Sequence, residues 1–83
     1  MYIGKTKHNI LKLIDKKPIH GYQISKELDI SLTTTYEHLD FLEKKNFIKK
    51  SNHNNVNNVK KICFITDRGK KFIQLIDEIE KLL

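Results

Sequence analysis

Five hydroxyl-bearing residues fall within six positions: Ser31, Thr33, Thr34, Thr35 and Tyr36. A threonine hydroxyl donates or accepts a hydrogen bond and its methyl packs on a thymine methyl, while a tyrosine reaches phosphate or base. A second cluster follows closely. Between Lys44 and Lys61 stand six lysines and no acid, and Lys49, Lys50, Lys60 and Lys61 flank an asparagine-rich stretch holding Asn54, Asn55 and Asn57. Ammonium groups neutralise phosphates without reading sequence, and asparagine amides hydrogen-bond backbone or minor-groove edges. The chemistry on offer is the grip of a polyanion, nucleic acid or anionic lipid, rather than the making of bonds.

Composition agrees. The chain has 83 residues, 16 basic against 10 acidic, for a net charge of +6. The excess lies in residues 1–66, with twelve lysines against six acids, whereas residues 67–83 balance four against four. Catalysis finds little support: Gly4, Gly21 and Gly69 are isolated, so no glycine-rich phosphate loop exists, and no nucleophile–base set assembles. His8, His20, His38 and His53 lack the i, i+4 helical spacing of a zinc pair, and the single cysteine, Cys63, has no partner. No enzyme, cofactor, metal or small-molecule effector is expected. No apolar run approaches the roughly 20 residues of a membrane span, and the first residues carry no long apolar stretch of a secretory signal. The expected location is cytoplasmic. Cys63, in a β-forming run, reads as a buried small hydrophobe.

The elements that must position these groups follow from periodicity. Ile10, Leu11, Leu13 and Ile14 predict a first helix over residues 7–15, which Pro18 stops. A short second helix spans His20 to Leu28, with Ile24 and Leu28 inward and the small Gly21 and Ser25 allowing close approach. Asp29 and Ile30 make a tight turn, Asp tolerating left-handed angles. Ser31 caps a third helix running to about Lys45, with Thr35, Leu39 and Leu42 facing the core and Asn46 ending it. Residues 47–51 and 59–66 are extended, joined by an asparagine-rich loop. Thr66 or Asp67 caps a last helix with Phe72, Ile76, Ile79 and Leu83 on one stripe, broadened by Ile73, Leu75 and Leu82. The fold class is α+β, mostly α: three helices, a two-stranded β-wing and a C-terminal helix. Residues 1–66 form the winged unit, and 67–83 a C-terminal helix for dimerisation, continuous with the same domain.

A short helix, a tight turn and a helix opening on threonines make a helix-turn-helix, whose second helix enters the major groove. The basic hairpin after it makes a wing on the flanking backbone or minor groove. The chain resembles winged-helix transcription regulators, most closely the PadR-like group and more loosely the MarR- and ArsR-like groups. Three stretches carry the resemblance: Ile10 to Ile14 leading to Pro18-Ile19-His20-Gly21-Tyr22-Gln23-Ile24; Ser31 to Leu42 with Tyr36 and His38-Leu39; and Ile65-Thr66-Asp67-Arg68-Gly69-Lys70. It implies a homodimeric, sequence-specific regulator that binds double-stranded DNA, with dimers formed through terminal helices. In departure from the group, Asp29 and Asn46 stand at usual glycine positions, Glu37 and Asp40 where basic residues are usual, and one helix replaces a larger C-terminal bundle.

On this reading the helix over 31–45 enters the groove and the wing over 49–61 lies alongside. Thr33 and Thr34 touch bases, unless Thr34 only caps, and Tyr36 reaches DNA or packs on the wing. Glu37 accepts from a cytosine amino group or is an ordinary solvated acid. His20, Tyr22 and Gln23 stand at a helix N-terminus, where amides and dipole attract phosphate; Tyr22 equally suits half-burial against the first helix. Phe72, Ile76, Ile79, Leu82 and Leu83 exceed what one small core needs and form the dimer contact, unless the last helix folds back across the first. A rival function is a winged-helix protein-interaction module of transcription or replication machinery, favoured by Glu37 and Asp40, which DNA repels. A single-strand binder needs more exposed aromatics than Tyr2, Tyr22 and Tyr36 supply.

Overall fold

The apolar spacing that predicts the first helix is realised in α1 (Lys5–Lys16), which buries Ile10, Leu11 and Ile14 completely. In this computed structural model, which describes residues 3–55 and 58–83 and the side chains of all of these except 52–60, α1 begins two residues earlier than expected, after Gly4 at φ 94°. There follow β1 (Ile19–His20), α2 (Gly21–Leu28), α3 (Leu32–Lys44), β2 (Ile48–Asn55), β3 (Asn58–Ile65) and α4 (Asp67–Leu82).

The expected two-stranded wing is formed by β2 and β3, and β1 adds a third strand, giving an antiparallel sheet in the order β1-β3-β2. Pro18 leaves the chain extended, and Ile19 and His20 then pair with Cys63 and Ile62, filling the backbone groups of β3. His20 is thereby drawn into the strand and becomes the N-cap of α2, which starts at Gly21. The asparagine-rich segment is also mostly strand: pairing continues from Asn52↔Lys61 to Asn55↔Asn58. Cross-strand partners override the poor strand propensity of asparagine.

The two turns behave as the residue types dictate. Asp29 has φ 54° and Asn46 φ 63°, both left-handed without glycine. Thr35, Leu39 and Leu42 of α3 are fully buried beside Ile24, Ile48 and Cys63. Burial pushes the Cys63 thiol up to about 11, as for an inert core cysteine.

The last helix folds back across the first with one stripe and leaves a second stripe exposed. Its inner stripe packs back on α1: Ile73 and Ile76 are buried, and His8, itself buried, brings Nδ1 to 3.8 Å from Glu80 Oε1. Ile76 is only 7% exposed, and Phe72 stacks on Phe47 with ring centroids 4.4 Å apart. These two members of the expected dimer surface therefore serve the chain's own core, because α1 and Phe47 offer apolar cover within reach. Leu75, Ile79, Leu82 and Leu83 remain exposed. Among the described residues no helix is long and apolar enough to cross a membrane.

Candidate nucleic-acid interface

Ser31 sets the geometry of the first turn of α3. Its Oγ accepts from the Thr34 amide at 3.0 Å and donates to Thr34 Oγ1 at 2.8 Å, so one orphan amide of the helix start is satisfied. Thr35 turns inward and donates from Oγ1 to the Ser31 carbonyl at 2.9 Å. Thr33 points to solvent. The three threonines thus diverge: one exposed, one tied into the cap, one in the core. From Thr33 an exposed stripe runs through Tyr36, Glu37, Asp40, Glu43 and Lys44, the helical spacing of one face.

Tyr36 lies over the start of α2. A Cβ built on Gly21 would stand 2.9 Å from its Cε1 and 3.2 Å from Leu39 Cδ1, so α2 and α3 cross closely only because residue 21 lacks a side chain. The residue is nonetheless 38% exposed, on the same helix face as Thr33. Tyr22 is more open still, with the Lys26 ammonium 4.8 Å above its ring. Of its expected neighbours, Gln23 is exposed and donates from Nε2 to Glu27 at 3.2 Å. His20 is half-buried, its Nδ1 donating to the Lys61 carbonyl at 3.3 Å, so it ties α2 to the wing. His38, part-buried on α3, is held below the ordinary imidazole range by burial and then by Lys7.

The wing lysines do not form one patch. Lys49 and Phe64 face each other in the ladder, and Lys50 and Cys63 share the opposite face. Lys49 and Lys61 are exposed. Lys50 departs from expectation: its ammonium bonds Asp40 Oδ1 and lies 3.4 Å from Glu43 Oε1, on a side chain only 9% exposed. It is turned to α3 rather than outward, because two carboxylates one turn apart lie within its reach. The Lys50 hydrogen bond holds the Asp40 carboxyl below its usual range despite some burial, with the charges of Lys50, Lys44 and Lys61 adding to it. For Lys50, burial works against the ammonium, but Asp40 and Glu43 outweigh it and its pKa is raised. The side chains of Asn54, Asn55 and Lys60, and Asn57 altogether, lie outside the described residues.

Two exposed apolar residues beside this surface escape a reading by residue type. Leu32, the first residue of α3, is 42% exposed next to Thr33, and Phe64 is 38% exposed on the outer face of β3. For Leu32 the signal was its place directly after the cap, where a helix has not yet met its neighbour. Among the described residues no group of three or more His, Cys, Asp or Glu side chains could hold a metal ion.

The surface is therefore a helix start bearing hydroxyls, an aromatic edge and a lysine-bearing hairpin, all on one small core. Known proteins share its fold. No protein of curated function matches the sequence, but solved structures match the fold. A PadR family transcription regulator from Clostridium difficile is 26% identical, with a TM-score of 0.86 over 95% of this chain and 90% of that one. Streptococcus pneumoniae FabT, solved with DNA, is 26% identical with a TM-score of 0.79, over 96% of this chain and 56% of its own. Bacillus subtilis PadR, solved with operator DNA, is 25% identical with a TM-score of 0.75, over 82% of this chain and 44% of its own. The model of the PadR-like transcriptional regulator family matches residues 10–75. Since that match takes in the helix-turn-helix, the wing and most of α4, the chain belongs to the PadR-like family of transcriptional regulators, a family of regulators and not of enzymes.

Proposed function

We propose that the chain binds duplex DNA sequence-specifically as a homodimer, with the first turns of α3 in the major groove and the wing on the flanking backbone or minor groove. The observation that carries this is the exposed edge of Leu32, Thr33 and Tyr36 at the outer end of α3, beside the lysine-bearing hairpin. Thr33 reads base edges, Leu32 packs on a thymine methyl, and Tyr36 reaches base or phosphate. Thr34 and Ser31 hold that turn in shape. Lys49, Lys60 and Lys61 grip phosphates, with Asn54, Asn55 and Asn57 at the wing tip. Tyr22, His20 and Gln23 stand beside the backbone at the start of α2. The operator complex of Bacillus subtilis PadR supports the same use of a related chain.

Dimerisation falls to residues 67–83 through Leu75, Ile79, Leu82 and Leu83. The first three recur at i, i+4 and i+7 on the outer face of α4, the spacing of a helix–helix seam. A two-fold pair would set two α3 helices about one DNA turn apart. The protein-interaction rival loses part of its case, because Asp40 is neutralised within the chain. Selection of bound sequences from a random duplex pool tests the reading. A palindromic winner with half-sites about 10 bp apart supports it; no enrichment over input defeats it.

A further inference from the structure

Among the wing lysines whose side chains are described, Lys49 and Lys61 are exposed and Lys50 is not. Lys50 lies on β2 opposite Cys63, on the face of the hairpin that meets the core, and its ammonium sits between Asp40 and Glu43 of α3. Those two carboxylates continue the exposed stripe that begins at Thr33 and Tyr36. Counting Glu37, Asp40 and Glu43 against Lys44, α3 carries a net charge of −2. A helix so charged is repelled by the phosphates on either side of a groove, and like charges across an interface cost both affinity and association rate. To reach a phosphate, Lys50 would have to leave both carboxylates and expose them to that same phosphate. The loss on one side would match the gain on the other.

We propose that Lys50 is a positioning residue, an internal counter-ion that neutralises the acidic stripe of α3 and pins the base of the wing to it, and that it makes no contact with DNA. This rests on the DNA-binding reading above. It accounts for acids on a helix meant for a polyanion: the wing brings its own cation to them. It also divides the lysines by task, since Lys61, an exposed residue whose charge only adds to the field at Asp40, is left to meet phosphate while Lys50 is spent inside the fold.

The test is a double-mutant cycle on the full chain. Binding to a selected duplex of about 30 bp, enough for two half-sites one turn apart, is measured across a range of KCl concentrations. The variants are Lys50→Gln, Lys50→Arg, Asp40→Asn/Glu43→Gln and the triple change, with Lys61→Ala alongside and thermal melts as a check on folding. Lys50→Gln is expected to weaken binding about tenfold by uncovering two carboxylates. In the Asp40→Asn/Glu43→Gln background the same change is expected to cost less than about twofold, with an unchanged salt slope. Lys50→Arg should stay near the unaltered chain. An equal cost in both backgrounds, with the slope falling by about 0.9 per protomer, makes Lys50 a phosphate ligand and overturns the proposal. So does a Lys50→Gln chain that binds as well as the original. If Lys50→Gln does not fold, the triple change set against Asp40→Asn/Glu43→Gln decides by the same slope criterion. Failure of the DNA reading looks different: the unaltered chain then retards no duplex in dilute salt and Lys61→Ala changes nothing.

Discussion

Thr33, Thr34 and Thr35 are one residue type in three roles, because a helix turns about 100° per residue. Thr33 faces solvent, Thr34 closes the cap with Ser31, and Thr35 is buried with its hydroxyl on the Ser31 carbonyl. Thr33→Ala should lower affinity for a selected operator by roughly fivefold, about 1 kcal/mol, with no change in melting temperature. Thr35→Val should do the reverse, costing about 1 kcal/mol of stability by removing the hydroxyl's hydrogen bond to the Ser31 carbonyl, which keeps the Thr35 amide as its donor. Equal effects of the two on both readouts would contradict the division. Cys63 gives a second check at this scale. With its thiol raised to about 11 by burial, a disulfide reagent at pH 8 should label it slowly in the native chain and quickly in denaturant. Residue type and spacing made the cap, the left-handed Asp29 and Asn46 and the inward Thr35 legible. The inward turn of Lys50 was not, since nothing local distinguishes it from Lys49; only the strand register puts it opposite Cys63 and within reach of α3.

At the scale of elements, what periodicity captured was the helices, and what it missed was pairing. β1 is two residues long, too short for any alternation, and exists because β3 offers an open edge to the chain leaving Pro18. Strands through Asn52 to Asn55 run against propensity for the same reason. In α4 the apolar residues were evident, but which of them face inward depends on α1. Ile76 and Phe72 are covered and Leu75, Ile79 and Leu82 are not. Replacing Ile79 and Leu82 by Asp should therefore convert the proposed dimer to a folded monomer, seen as halved mass in light scattering with an unchanged helical circular dichroism. Ile76→Ala should instead cost about 2–4 kcal/mol of stability. The seat of α4 is equally specific. A Cβ on Gly69 would lie 2.2 Å from the Phe47 carbonyl oxygen, so Gly69→Ala should cost about 3 kcal/mol or more and lower the melting temperature by roughly 10 to 20 °C.

At the scale of the whole molecule, charge decides how the protein meets its partner. The net +6 is carried by residues 1–66, and binding should weaken steeply with salt. Lys61→Ala should reduce the slope of log affinity against log salt by about one, or about two across a dimer; an unaltered slope would remove the wing from the contact. The same molecule-wide view bears on how α4 begins. Thr66 donates its amide to the Phe47 carbonyl at 3.1 Å and its hydroxyl to that of Asn46 at 2.7 Å, while Arg68 Nε donates to Lys45 at 3.0 Å. Three consecutive carbonyls just past the end of α3 are thus held by the first turn of α4. The two rods are bolted end to end like the arms of a crank. Tilting one would swing the other, so in the proposed dimer the angle at which two copies clasp would dictate how far apart, and at what pitch, their reading heads arrive on the double helix.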